Sequence, residues 1–402
     1  MILQGIGQVE ESRMRFSYTP SQEALRARLR RYYAGLLDER TRSELAADPQ
    51  GPVMRRVVKQ MAGDGWLGLG WPTEHGGQGL GPVEQYIFFD ETMRASAPFP
   101  VIAVNLIGPT LMQHGTDEQR AEYLPRIVSG DSFFCIGYSE PEAGTDLAGL
   151  RTTAIRDGDH FVVHGLKTWT SFHTCADYCW LAVRTDPAAP KHKGLSVLIV
   201  PMTSPGIEVT PLDLLNDHNI ATVRFDGVRV PAANLVGAEN RGWSVITSQL
   251  NHERTTMGAP GVVATAFDDV VGWAAATVLT DGSRVIDRPW VRGNLARAHV
   301  TLDRLKLMSW SNIDDVAHGR VEVAKVSATK VAATEGFLDV LGLLMEVVGR
   351  ADAPDDGGPR SALAARLDHM YRHHLALTFG GGANEVQREI IATQGLGLPR
   401  SR

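Results

Sequence analysis

The chain has 402 residues, enough for two or three domains with sizeable cores, and its 43% hydrophobic and 21% charged residues are ordinary for a globular protein. A net charge of −6 gives no reason to expect nucleic acid or an anionic membrane as partner. No apolar run reaches the length of a membrane span, and three cysteines in so long a chain argue for a reducing, cytoplasmic setting.

The opening MILQGIGQVEESRMRF has no basic region followed by an apolar core, so it reads as an amino-terminal arm rather than a secretory leader. From about Pro20 the period is helical. SQEALRARLRRYYAGLLDERT (21–41) starts on a serine and sets Glu and Arg at helical spacing. GWLGLGWPTEHGGQGLGP (65–82) is too rich in Gly and Pro for anything but irregular backbone.

Strands follow. TTAIRDGDHFVVHGLKTWTS (152–171) holds two β-prone runs around Asp157-Gly158-Asp159, a hairpin signature, and 194–202 and 220–231 predict further strands. Helices return at about 242–277, 288–318, 321–349 and 360–380, with a short one after Asn384; PDDGGP (354–359) predicts an exposed loop. The order helices, strands, helices gives an α+β fold with expected domains 1–130, 131–240 and 241–402.

Within this frame several segments carry chemistry. YSEPEAGTDLAGL (138–150) ends a predicted strand; Gly144 permits close backbone approach, and Ser139 and Thr145 offer hydroxyls to a polar heterocycle or phosphate. Taken alone, it is equally a tight turn. In HGLKTWTSF (164–172) Trp169, taken alone, reads as a core tryptophan. His173, Cys175 and Cys179 lack a second ligand pair and have apolar neighbours, so buried thiols are expected there rather than a metal site.

SQLNHERTTMG (248–258) is the most pointed. At 3.6 residues per turn Ile246, Leu250, Glu253 and Met257 share one face, and a carboxylate in an apolar stripe is either paired or working. Partial burial would raise its pKa toward that of a general base. His252 lies about 100° around the helix, toward Val245, Gln249 and Thr256.

These segments together resemble the acyl-CoA dehydrogenase family. YSEPEAGTD is similar to its Thr-Glu-Pro-x-Ala-Gly-(Ser/Thr)-Asp, HGLKTWTSF to Asn-Gly-x-Lys-x-Trp-Ile-(Thr/Ser)-Asn, and FDGVRVPAANLVG (225–237) to the segment that closes the β domain. The resemblance implies an N-terminal helical domain, a small central β-barrel and a C-terminal four-helix bundle. It implies FAD, with Trp169 against the isoalloxazine ring, Ser171 near its reactive nitrogen, and Tyr138, Ser139, Gly144, Thr145, Phe379, Gly382 and Asn384 around it. The reaction would be α,β-dehydrogenation of an acyl-CoA to a trans-2-enoyl-CoA, with electrons passing to an electron-transfer flavoprotein.

TFGGGANEVQREIIA (378–392) resembles Tyr-Glu-Gly-Thr-x-x-(Ile/Val)-Gln-Arg, with Phe379 in the tyrosine place and Gly380 in that of the catalytic glutamate. A glycine keeps the backbone N–H that helps hold the thioester oxygen but loses the base. Isovaleryl-CoA and long-chain acyl-CoA dehydrogenases are similar in carrying their base on an earlier helix, just before an arginine. Glu253 is therefore the expected base, with Arg254 and Met257 as substrate-side neighbours. The Arg-x-x-Phe-Gly and Gln-x-x-Gly-Gly elements with which homotetrameric relatives reach a neighbour's flavin are absent from 277–296 and 345–353, where Glu346 and Arg350 stand instead.

That pattern resembles the α2β2 acyl-CoA dehydrogenases of steroid side-chain degradation, and implies a second subunit of the same family and a bulky substrate. Gly258, Ala259 and Gly380 to Gly382 would clear volume for it, unless they serve close helix packing. A non-catalytic scaffold subunit and a flavin oxidase or monooxygenase remain the alternatives.

Overall fold

The Thr19 hydroxyl accepts a hydrogen bond from Gln22 N, and Thr19 N donates to Gln22 Oε1, a capping box that starts helix α1 at Pro20–Leu36. The expected single helix over 21–41 ends there, because the Asp38 side chain accepts from Thr41 N and begins a second helix, α2 at Glu39–Ala47. The computed structural model describes residues 17–215, 219–256, 258–351 and 358–400, so the arm at 1–16 and most of the 354–359 loop lie outside the described residues. Helices α3 (Pro52–Gly63), α4 (Pro82–Arg94), α5 (Gly108–His114) and α6 (Asp117–Val128) complete the N-terminal helical domain. The 65–82 segment is irregular apart from one 3-10 turn. Before α5 the chain widens into a π-turn at Ile102–Ile107.

The strands are β1 (Phe134–Gly137), β2 (Thr153–Asp157), β3 (His160–Ser171), β4 (Tyr178–Arg184), β5 (Leu195–Pro201), β6 (Ile207–Leu212), β7 (Ile220–Pro231) and β8 (Leu235–Val236). They form one sheet in the order β6-β7-β3-β2-β4-β5-β8, with β1 parallel to β4. The expected hairpin closes β2 on β3 with Gly158 at φ +62°. Along β4 the period of two sends Trp180 and Ala182 toward the N-terminal helices, and Cys179, Leu181 and Val183 into the core beneath the other face. Cys175 and Cys179 are buried, as expected, and so is Cys135.

The C-terminal helices are α7 (Gly242–Thr256), α8 (Gly261–Ala276), α9 (Pro289–Ala317), α10 (Val323–Arg350), α11 (Pro359–Leu377) and α12 (Asn384–Ile390). The expected helix over 242–277 is two, since Pro260 withholds a backbone donor and Gly261 N turns to Asp90 Oδ1 at 2.9 Å. This corner is wedged tightly. A Cβ at Gly258 would stand 2.5 Å from Ser309 Oγ and 2.8 Å from Thr329 Cγ2. Gly258 and the buried Ala259 therefore serve close helix packing rather than a roomy cleft. Among the described residues no helix is long and apolar enough to cross a membrane.

Candidate active site

Two sequence motifs meet at the end of β1. Lys167, on β3, is fully buried and donates to Tyr138 O at 3.1 Å and to Glu140 Oε1 at 2.8 Å. Glu140 also accepts from Arg151 N at 2.6 Å and Thr152 N at 2.9 Å. Thr168 N donates to Ser139 O at 2.9 Å, so the 138–140 turn is bound to β3 from both sides. Between Lys167 and Thr170 the register of β3 on β7 slips by one residue. This bulge turns Trp169 out of the sheet, 57% exposed and at φ +61°, where a bulky residue is strained. Trp169 is not the core residue that its isolated reading gives; strain of this kind concentrates at functional sites. Ser171 lies half-buried beside it, while Gly144 (φ +57°) and Thr145 sit on an exposed turn. No heavy atom approaches within 4 Å of where a Gly144 Cβ would be, so the glycine answers the backbone angle.

Helix α7 presents two faces. Ile246 is fully buried, Leu250 packs against the same core, and Gln249 donates to Glu253 Oε2 at 3.4 Å one turn on. Gln249 thus accompanies Glu253, not His252 as the helical wheel had it. Glu253 lies close enough to Tyr138 to act on its phenol: burial pushes that pKa up, the Trp180 hydrogen bond opposes, and the Glu253 charge adds to the rise. The other face belongs to α5. Ser248 Oγ bonds Gln113 Oε1 at 2.7 Å, and one turn further His252 has its pKa lowered, first by burial and then by His114. Met257 and the side chain of Arg254 lie outside the described residues.

The glycine turn hangs from α10. Lys330 Nζ donates to Thr378 O at 3.2 Å, Gly382 O at 2.8 Å and Asn384 Oδ1 at 2.7 Å. Asn384 Nδ2 donates to Thr334 Oγ1 and Glu335 Oε1, each at 3.1 Å, and Arg388 clamps Glu335. Gly381 and Gly382 lie at φ +67° and +96°, so backbone geometry rather than substrate volume asks for them. The Gly380 N–H, expected to help hold a thioester oxygen, instead donates to Ala376 O at 2.9 Å. Counted back without a gap from Val386-Gln387-Arg388, the glutamate place of the quoted pattern falls on Gly381. Among the described residues the Gly381 N–H meets no acceptor. Phe379, in the turn, is 72% exposed.

Three family profiles match: the acyl-CoA dehydrogenase N-terminal domain at residues 19–131, its middle domain at 135–228 and its C-terminal domain at 240–396. The acyl-CoA dehydrogenase FadE26 of Mycobacterium tuberculosis is 48% identical over 398 residues, covering 96% of this chain and all of that one. The chain belongs to the acyl-CoA dehydrogenase family. Among solved structures, a chain of the ChsE4-ChsE5 complex from Mycobacterium tuberculosis superposes with a TM-score of 0.89 at 48% identity, over 96% of this chain and 100% of that one. A chain of the Tcur3481-Tcur3483 steroid ACAD gives a TM-score of 0.89 at 45% identity, with the same coverage.

In acyl-CoA dehydrogenase terms, the described residues bring 138–140, 167–171 and Glu253 together, and α10 carries the glycine turn on Lys330 beside Thr329, which packs at Gly258. Trp290, Asn294, Arg297, Glu346 and Arg350 line a pocket between α9 and α10. Asn294 Nδ2 donates to Glu346 Oε2 at 3.0 Å, Arg350 pairs with Glu346, and Trp290 and Arg297 complete the walls. These contacts hold the Glu346 carboxyl below its usual range, Asn294 first and Arg350 next.

Sequence reasoning passed over Glu140, Lys167, Gln249 and Lys330. The first two stood as fixed letters of the quoted motifs, with no role read for them. For Lys330 a signal existed: it falls in helical register with Val326, Ala333 and Phe337 on a buried face.

Proposed function

We propose that this acyl-CoA dehydrogenase removes the α proton of a bulky acyl-CoA thioester with Glu253 while the β hydride leaves for FAD. The observation that carries the reading is the position of Glu253, on the inner side of α7 and within electrostatic reach of Tyr138, in a chain whose usual glutamate place holds glycine. Gln249 steadies one carboxylate oxygen, and the carboxylate receives the proton. The Gly381 N–H is free among the described residues to donate to the thioester oxygen as enolate-like charge grows there. Arg254 and Met257 keep their proposed place beside the substrate.

The residues present suit FAD. An outward tryptophan held at a strained φ is an aromatic platform, and Thr170 Oγ1, buried beside it, has no partner among the described residues. Bound FAD supplies the hydride acceptor; Ser139, Thr145 and Ser171 offer it hydroxyls, and Tyr138, Gly144, Phe379, Gly382 and Asn384 frame it. Trp169→Gly is expected to stabilise the flavin-free chain by about 1 kcal/mol, since it relieves the left-handed φ, while weakening flavin binding. Thermal melts with and without added FAD read both effects. A variant that binds FAD as well as wild type would remove Trp169 from the flavin site.

The steroid substrate and a second subunit of the family are inferred from the relatives, one a steroid ACAD and another a two-protein complex. Glu346 and Arg350 stand where homotetrameric relatives carry the Gln-x-x-Gly-Gly element, and this supports the partner. An electron-transfer flavoprotein in the cytoplasm would take the electrons. Flavin per chain, read from the visible spectrum, tests the assembly. Little flavin alone, rising to about one per two chains with a family partner, is expected; one per chain in the solitary protein would overturn the shared-site reading.

A further inference from the structure

We propose that Lys330 is a positioning residue of the reaction: its ammonium grips the glycine turn by both ends and sets positive charge behind the N–H that meets the developing enolate. The inference rests on the reaction proposed above.

Lys330 is fully buried in the middle of α10, and its amine donates to three oxygens. A neutral amine has only two N–H groups, so three acceptors call for the ammonium form. A buried charge is costly unless it is closely compensated, and two backbone carbonyls and an amide oxygen contribute to that compensation here. The dipoles that offset the charge are thereby fixed by it. Thr378 O and Gly382 O bracket the three glycines, so the cation closes the turn like a clasp.

Such a clasp answers a specific weakness. Three successive glycines have the widest backbone freedom of any tripeptide, and an N–H donor that wanders cannot be preorganised for a transition state. Lys330 removes that freedom from behind the turn, leaving the front to the ligand. Its neighbour Thr329 abuts Gly258 at the end of the helix that bears Glu253. One turn of α10 therefore packs against the chain just after α7 and also holds the glycine turn.

The test uses the assembled, flavin-loaded complex and a 3-thia-acyl-CoA. Its sulfur acidifies the α proton but blocks dehydrogenation, and the bound α-anion shows a long-wavelength charge-transfer band with oxidised flavin. Titrating that band against pH gives the acidity of the bound ligand. For Lys330→Met at wild-type flavin content the apparent ligand pKa is expected to rise by a unit or more, at least tenfold less anion at a given pH. In the normal reaction kcat should fall with little change in KM. Lys330→Gln keeps hydrogen-bond donors without charge. It should retain more thermal stability than Lys330→Met and still show the raised ligand pKa. Wild-type ligand acidity in Lys330→Gln, or loss of assembly in both variants, would overturn the proposal by leaving Lys330 a purely structural role. No band in the wild-type complex would overturn the proposed reaction itself, and this inference with it.

Discussion

Replacing Glu253 with glutamine is expected to cut turnover of the assembled enzyme by roughly three orders of magnitude, within the ~10²–10⁴ that a general base contributes. The amide is nearly isosteric, and Gln249 remains to hold it. Tyr138 is fixed independently by Trp180 Nε1, at 3.0 Å from its hydroxyl, and by Lys167 on its carbonyl. Flavin content and KM should therefore stay near wild type while kcat collapses. His252→Gln should keep most of the activity, since its face of α7 packs toward α5 and His114. If Glu253→Gln retained turnover within a factor of about three, well short of what losing a base costs, the chain would be better read as a scaffold subunit.

The family and the order of domains were legible because each rests on local sequence: period, turn chemistry, and contiguous motifs. What stayed hidden depends on contacts distant in sequence. Trp169 looks like a core residue until the bulge against β7 is seen, and that bulge is a property of two strands. The split of 242–277 was signalled by Pro260, yet the tight corner around Gly258 involves Ser309 and Thr329, which no local window includes. The volume argument from small residues failed for the same reason: a glycine says nothing about what fills the space. Likewise Gly380 was credited with a donor that its own helix end uses through Ala376.

Glu140→Gln is expected to be the most destabilising conservative change in the flavin-side motif, at about 3–5 kcal/mol, because it strands a buried cation. In wild type, burial pushes the Glu140 carboxyl up, but Lys167 and the Thr152 and Arg151 N–H groups pull it below its ordinary value. Burial lowers the Lys167 pKa even with Glu140 opposing. The signs then separate the two proteins. Wild-type stability from Glu140 is full above its unfolded pKa and is lost as pH falls through the depressed folded one. In Glu140→Gln the counter-charge is gone, so the folded Lys167 pKa drops further. Between that value and the unfolded lysine pKa the unfolded state binds more protons, and stability rises with pH by up to about 1.4 kcal/mol per unit. The amide NH2 would also face the backbone donors of Arg151 or Thr152 that the carboxylate now satisfies. Lys167→Met should be milder, since Glu140 keeps those two N–H groups. Denaturant melts of both variants from pH 6 to pH 10 check this. A flat profile for Glu140→Gln, or a larger loss in Lys167→Met, would mean that water or a rearranged side chain takes up the charge, and that the turn at 138–140 does not depend on the pair.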